Sequence, residues 1–177
     1  MKRNISRTLL IVFVATFFVS MAATAQAKVK DPQCTLARAA GDWGFTTTGA
    51  IILSTGAAVP VAAVGTFTLD AAGNLAGSQT RSTGIPGVKP ASETFKGTAP
   101  VQADCTGKAT IDTFDESGTK VRTSTLDFVD LSNETEARAI YTSVTNIQAD
   151  GTRVPLQVVL TIDYKKLFPQ TDNQDEQ

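Results

Sequence analysis

The chain has 177 residues, with 16 Lys and Arg against 17 Asp and Glu, no histidine and two cysteines. Without an imidazole, Ser-His-Asp and Cys-His catalysis are excluded. A nearly neutral chain without a Lys/Arg cluster also excludes a nucleic-acid interface, which needs a basic face.

Residues 1–27 read as an export signal. Lys2, Arg3 and Arg7 charge its start, residues 9–19 are apolar except for Thr16, and Ala25-Gln26-Ala27 offers the small residues a signal peptidase accepts. The alternative is an uncleaved anchor, but a membrane span needs roughly 20 apolar residues and this stretch is shorter. Cleavage after Ala27 removes three cations and no anion, which takes the formal charge from −1 to −4. The expected location is therefore the periplasm or the extracellular space, with no transmembrane span left after cleavage. In such a compartment Cys34 and Cys105 are expected to form one disulfide. Two cysteines without histidine make a poor metal site, so neither a metal nor another cofactor is expected.

Residues 28–42 form a lead-in, in which Leu36, Ala39 and Ala40 suit one helical turn closed at Gly41. Strands follow. Residues 43–54 are rich in Thr and Ile, and in residues 61–69 Phe67 and Leu69 alternate with Thr66 and Thr68, the period of a half-buried strand. Asp70-Ala71-Ala72-Gly73-Asn74 is a hairpin loop, and residues 75–81 return. Residues 82–91, with Gly84, Pro86, Gly87 and Pro90, make the longest irregular connection. Further strands are expected over 92–101, 106–114 and 120–131, with Asp115-Glu116-Ser117-Gly118 turning the last pair. Residues 136–144 follow, and Asp150-Gly151 signals a type I′ hairpin. In 153–164 the alternation is cleanest: Val154, Leu156, Val158, Leu160, Ile162 and Tyr164 share one face. Pro155 argues that this strand starts before full pairing. From residue 169 the chain is polar and acidic and is expected to be disordered.

About eight strands joined by short hairpins predict an all-β, mostly antiparallel meander over residues 43–168. Closure into a barrel removes its edges; a β-sandwich is the alternative. An outer-membrane barrel fits less well, because aromatic girdles need more than the 7% aromatic content found here.

Gly41-Asp42-Trp43, just ahead of the first strand, resembles the Gly-x-Trp of lipocalins. The resemblance implies an eight-stranded barrel carrying a small apolar molecule, with Trp43 closing the barrel base and an arginine packed on it. Arg138 and Arg153 both qualify. Thr161-Ile162-Asp163-Tyr164 departs from that family's Thr-Asp-Tyr turn, since Ile162 intervenes. Phe67-Thr68-Leu69-Asp70-Ala71-Ala72-Gly73-Asn74-Leu75-Ala76-Gly77 and Asp104-Cys105-Thr106-Gly107-Lys108-Ala109 resemble secreted bacterial β-proteins of unassigned role. Their fold is similar to the allene-oxide-cyclase and dirigent type of barrel, and that resemblance implies an enzyme that guides a cyclisation by pocket shape, with few catalytic side chains and no histidine.

The main expectation is thus a non-enzymatic binding module for a small apolar molecule, with Phe67, Phe128, Tyr141 and Tyr164 as inward candidates. The alternative is a cyclase or isomerase of the allene-oxide-cyclase type, which needs an inward carboxylate such as Asp127. A structural or surface-interaction role is the third possibility. No catalytic residue is assigned. Asp112 and Asp127 are weighed as a carboxylate pair that a hairpin could bring together, and residues 112–116 as a weak calcium-loop pattern. The oligomeric state is left open.

Overall fold

The computed structural model describes residues 34–131 and 134–167. The export signal expected over 1–27 and the polar tail expected from 169 lie outside the described residues.

One short helix, α1 (Leu36–Ala39), precedes eight strands: β1 (Gly41–Ile52), β2 (Ala58–Leu69), β3 (Asn74–Thr83), β4 (Ala91–Thr98), β5 (Thr106–Phe114), β6 (Lys120–Leu131), β7 (Glu136–Ile147) and β8 (Arg153–Lys166). Each pairs antiparallel with its sequence neighbour, and β8 returns to β1, so the sheet is a closed barrel. The β-sandwich alternative is not what forms. Closure follows from the short hairpins, which leave each strand only its neighbours to pair with, and from the edges an open meander would expose.

Period-two alternation sets the two faces. Trp43, Phe45 and Thr47 on β1 point inward between exposed Asp42, Thr46 and Thr48. On β8 the apolar face runs from Leu156 to Tyr164 along the lumen, between exposed Gln157, Val159, Thr161 and Asp163. Pro155 pairs only with Thr145 of β7, because the β1–β8 ladder ends at Gln157. Near Tyr141 the alternation breaks: β7 shifts register against both neighbours, so Tyr141 and Val144 both face inward with exposed Thr142 and Ser143 between them. Such a bulge re-aims a side chain at a chosen spot.

Four of the hairpin turns, at residues 53–57, 70–74, 115–119 and 148–152, share one geometry. In each, a backbone N–H donates three residues back, and the donor is a glycine with φ between 81° and 86°. The 148–152 turn corrects the type I′ expectation. Only Gly151 takes positive φ, whereas type I′ needs two such residues. Asp150 instead uses its carboxylate to accept from Thr152 N–H at 2.8 Å.

The barrel has two unlike ends. One carries the connections 53–57, 84–90, 115–119 and 148–152. The other is covered by α1 and the disulfide between Cys34 and Cys105, whose Cα atoms are 5.0 Å apart. Among the described residues no helix is long and apolar enough to cross a membrane.

Candidate functional site

At the covered end the lumen is aromatic. Trp43 is fully buried, donates Nε1–H to Ala39 O at 2.9 Å and stacks on Phe67 with centroids 6.3 Å apart. Phe67 also meets Phe45, Phe95 and Tyr164 at 6.1, 6.5 and 5.7 Å. The cation near the Trp43 ring is Lys166, with Nζ 5.8 Å from the centroid. Neither Arg138 nor Arg153 takes that place. Arg138 lies on the outer wall, paired with Asp163 at 3.2 Å, and Arg153 is exposed at the far end of β8.

These rings line a cavity of about 70 Å³. All four candidates named from the sequence, Phe67, Phe128, Tyr141 and Tyr164, face it. Room for the Phe128 ring comes from Gly107 opposite, while Gly77 lets β3 lie close against the β2 backbone at Thr66 and Phe67. A Cβ at Gly77 would overlap Phe67, and one at Gly107 would overlap Phe128. The cavity is well below the ~300 Å³ of an ordinary small-molecule site, as expected of an eight-stranded barrel largely filled by its own side chains.

Toward the other end the lumen turns polar. Glu93 is buried, and its carboxylate accepts from Gln79 Nε2 (2.7 Å), Arg81 Nε and Nη2 (3.1 and 3.0 Å), and Arg122 Nη1 and Nη2 (3.3 and 2.6 Å). Burial alone would raise its pKa. The hydrogen bonds and charges of Arg122 and then Arg81 outweigh it and hold the carboxyl below the usual range. A second cavity of about 80 Å³ lies here, lined by Thr47, Gln79, Arg81, Arg122, Tyr141, Asn146 and aliphatic side chains. Burial pushes the Tyr141 phenol up, with the Arg122 charge opposing, so it stays protonated and can donate. The buried Thr47 hydroxyl lies near enough to Tyr141 to lower that pKa a little, yet has no partner at hydrogen-bonding geometry.

Asp130 is the other inward carboxylate. It lines the aromatic cavity, and its Oδ2 is buried without a hydrogen bond. Burial, then the nearby Glu134, push its pKa up to about 6, against a smaller pull from Lys166. Asp112 and Asp127 do not form a carboxylate pair; they are the outward-facing residues that the sequence favours. In the β5–β6 ladder Asp112 faces Thr123 and Asp127 faces Lys108, roughly 13 Å apart at strand spacing. Both point outward and carry lysine partners, Lys120 at 2.7 Å and Lys108 at 3.4 Å. Asp127 is thus not the inward carboxylate that an enzyme of this shape needs. Among the described residues no group of three His, Cys, Asp or Glu could hold a metal, which leaves residues 112–116 without a calcium site.

Glu93, Arg81, Arg122 and Asp130 were not reached by motif. A signal was nevertheless there: Glu93 keeps phase with Phe95, and Arg122 and Asp130 keep phase with Leu126 and Phe128. A charge in phase with apolar residues on one strand is a charge inside.

No protein-family model matches the chain, and no curated protein matches it. Among solved structures it is similar to EF1p2_mFAP2b bound to DFHBI, at 14% identity and TM-score 0.44, covering 75% of this chain and 100% of that one. It is also similar to the S-type phycobiliprotein lyase CPES from Guillardia theta, at 10% identity and TM-score 0.42, covering 75% and 90%. At these values the likeness is to a β-barrel and to nothing finer.

Proposed function

We propose that this protein is an exported binding barrel that holds one small, largely apolar molecule in its lumen and carries out no reaction on it. The observation that carries the reading is the cavity bounded by Trp43, Phe45, Phe67, Phe95, Phe128 and Tyr164, with Tyr141 and Gln79 between it and the polar layer. A core needed only for stability gains most by packing without voids. Here a void of about 70 Å³ remains among the rings. The two small cavities point to a compact occupant, of the size of a single substituted ring, rather than a long acyl chain. The Cys34–Cys105 bridge supports export, since disulfides persist in oxidising compartments. In this reading residues 1–27 are removed as the signal.

Native mass spectrometry of the chain from residue 28, purified from an oxidising periplasm, tests it. Extra mass that is lost on denaturation is expected. A bare chain that also fails to take up any small aromatic molecule would overturn it.

One observation favours a second reading, an enzyme of the cyclase or isomerase type. Asp130 lines the cavity with its Oδ2 free of hydrogen bonds and a pKa near the middle of the working range of a general acid or base. The readings separate on the captured molecule. Returned to the stripped barrel, it elutes unchanged from a carrier, whereas an isomerase converts it to a species of equal mass and different retention, and Asp130→Asn abolishes that conversion.

A further inference from the structure

The polar layer carries more positive charge than it needs. Two guanidiniums, Arg81 and Arg122, face the single carboxylate of Glu93. Five N–H donations converge on two oxygens that offer about four lone-pair sites. Glu93 is saturated, and a net charge of one remains beside a wall of Ile51, Val61, Val144, Leu156, Val158 and Leu160, with Arg81 26% and Arg122 14% exposed. Arg81 Nη1 and Arg122 Nε donate to none of the described residues. Around the same cavity stand the buried Thr47 hydroxyl, lacking a hydrogen bond, the protonated Tyr141 phenol and the Asn146 amide. One guanidinium already neutralises Glu93, so the second leaves a positive potential in this layer that solvent screens only in part. A surplus cation beside a cavity lined by hydroxyl and amide donors is complementary to an anion.

We infer that the occupant is a small anionic amphiphile: an aromatic or short-chain carboxylate whose charged end sits between Arg81 and Arg122. Its apolar end passes Gln79 and Tyr141 to reach Phe95 and Phe45. This rests on the binding reading above and narrows it to a chemical class. The spacing fits. Phe95 lies two residues from Glu93 on β4, roughly 7 Å along the strand, and its ring meets Phe45 at 5.8 Å. One ring with a short side chain spans that interval.

The test compares 3-phenylpropionate with 3-phenylpropanol, which differ only in the anionic end. Binding is followed through the indole N–H resonance of Trp43, the chain's one tryptophan, and by calorimetry. The carboxylate is expected to bind about tenfold or more tightly than the alcohol, the scale of a charge-assisted pair. Arg122→Gln and, separately, Arg81→Gln are expected to remove that preference, read as the ratio of the two affinities within each variant. Lys108→Gln makes the same charge change on the outer wall, where Lys108 pairs with Asp127, and is expected to leave the preference intact. Equal binding of the two compounds overturns the anionic inference while the apolar pocket stands. Binding of neither overturns both. A preference lost equally in Lys108→Gln would reduce it to net charge and overturn the site. A folded barrel, shown by an unmoved Trp43 resonance in the absence of ligand, is the condition for scoring either arginine variant, and having two guards against one failing to fold.

Discussion

Cys105 and Glu134 hold the same left-handed backbone position in two separate turns, with φ of 68° and 65°, and both reach back to the start of the described chain. Cys105 N–H donates to Gln102 O and Glu134 N–H to Leu131 O, three residues back as in the four glycine turns. Where those have glycine, these have a cysteine bonded to Cys34 and a glutamate accepting Thr35 N–H at 3.0 Å. Positive φ costs a residue with a Cβ about 1–2 kcal/mol. The strain is therefore accepted at the two turns that pin the segment leading into α1 over the barrel end.

That arrangement predicts the effect of removing the bridge. The Cys34→Ser/Cys105→Ser variant should lose about 2–4 kcal/mol of unfolding free energy. Cys34→Ser/Cys105→Gly should recover about 1 kcal/mol of it, because glycine adopts the required φ without penalty. Urea unfolding of the two variants under identical conditions measures the difference. Equal stabilities would show that the turn carries no such strain.

The polar layer predicts a strong dependence on Glu93. Glu93→Ala leaves Arg81 and Arg122 facing each other in the lumen and should cost about 3–5 kcal/mol. Replacing the three together, as Arg81→Met/Glu93→Leu/Arg122→Met, should restore most of that loss while removing any preference for an anionic ligand. Acid should act like the single substitution. The folded-state pKa of Glu93 is depressed, so its stabilisation is present above the unfolded value of 4.5 and is lost as pH falls through the folded one. Thermal unfolding from pH 6 down to pH 3 should show that loss in the wild type and a much weaker one in the triple variant.

How much of this was legible in the sequence follows from what alternation does and does not encode. Strands, turns and the meander were readable because Thr/apolar alternation and Asp…Gly turns are local signals, and the inward face of β8 could be written down residue by residue. The disulfide was readable from export and cysteine number. The outward setting of Asp112 and Asp127 is legible in the same alternation: Ile111 and Thr113 take the lumen, so Asp112 cannot, and a pair near the hairpin does not form. The Glu93 cluster joins β3, β4 and β6, and no local pattern says which strands meet around a lumen. The cation on Trp43 was sought among arginines by resemblance, whereas β1–β8 pairing places Lys166 directly opposite Trp43.

Gly107 predicts a packing effect across one strand pair. It faces Phe128 in the β5–β6 register, and a Cβ there would overlap Phe128 Cζ and the Pro100 carbonyl. Gly107→Ala should destabilise by about 1–3 kcal/mol, since overpacking forces the ring or the backbone to move. Adding Phe128→Leu should relieve the part due to the ring. A double-mutant cycle by denaturant unfolding separates this from the Pro100 contact, and strict additivity would mean that the ring is not the obstacle.

Asp130 predicts a pH dependence of opposite sign to that of Glu93. Its carboxyl faces Glu134 and Lys166 and has no hydrogen bond to Oδ2, and its pKa stands near 6 against 3.8 in the unfolded chain. For a raised acid the folded state holds the proton more tightly. Its contribution is therefore complete below pH ~4 and is lost as pH rises through about 6. At about 1.4 kcal/mol per unit the loss is at most ~3 kcal/mol. Asp130→Asn, which cannot ionise, should match the wild type near pH 4 and exceed it by up to that amount at pH 7.5. The Glu93 contribution is lost only below about 4.5, whereas that of Asp130 falls between about pH 4 and 6, so these two groups place the wild-type optimum near pH 4. In Asp130→Asn the decline between pH 4 and 6 should flatten. Urea midpoints at half-unit intervals from pH 4 to 8 decide the matter. A variant that is less stable than wild type at pH 7.5 would mean that the ionised carboxylate finds a partner in solution, such as water or a bound cation.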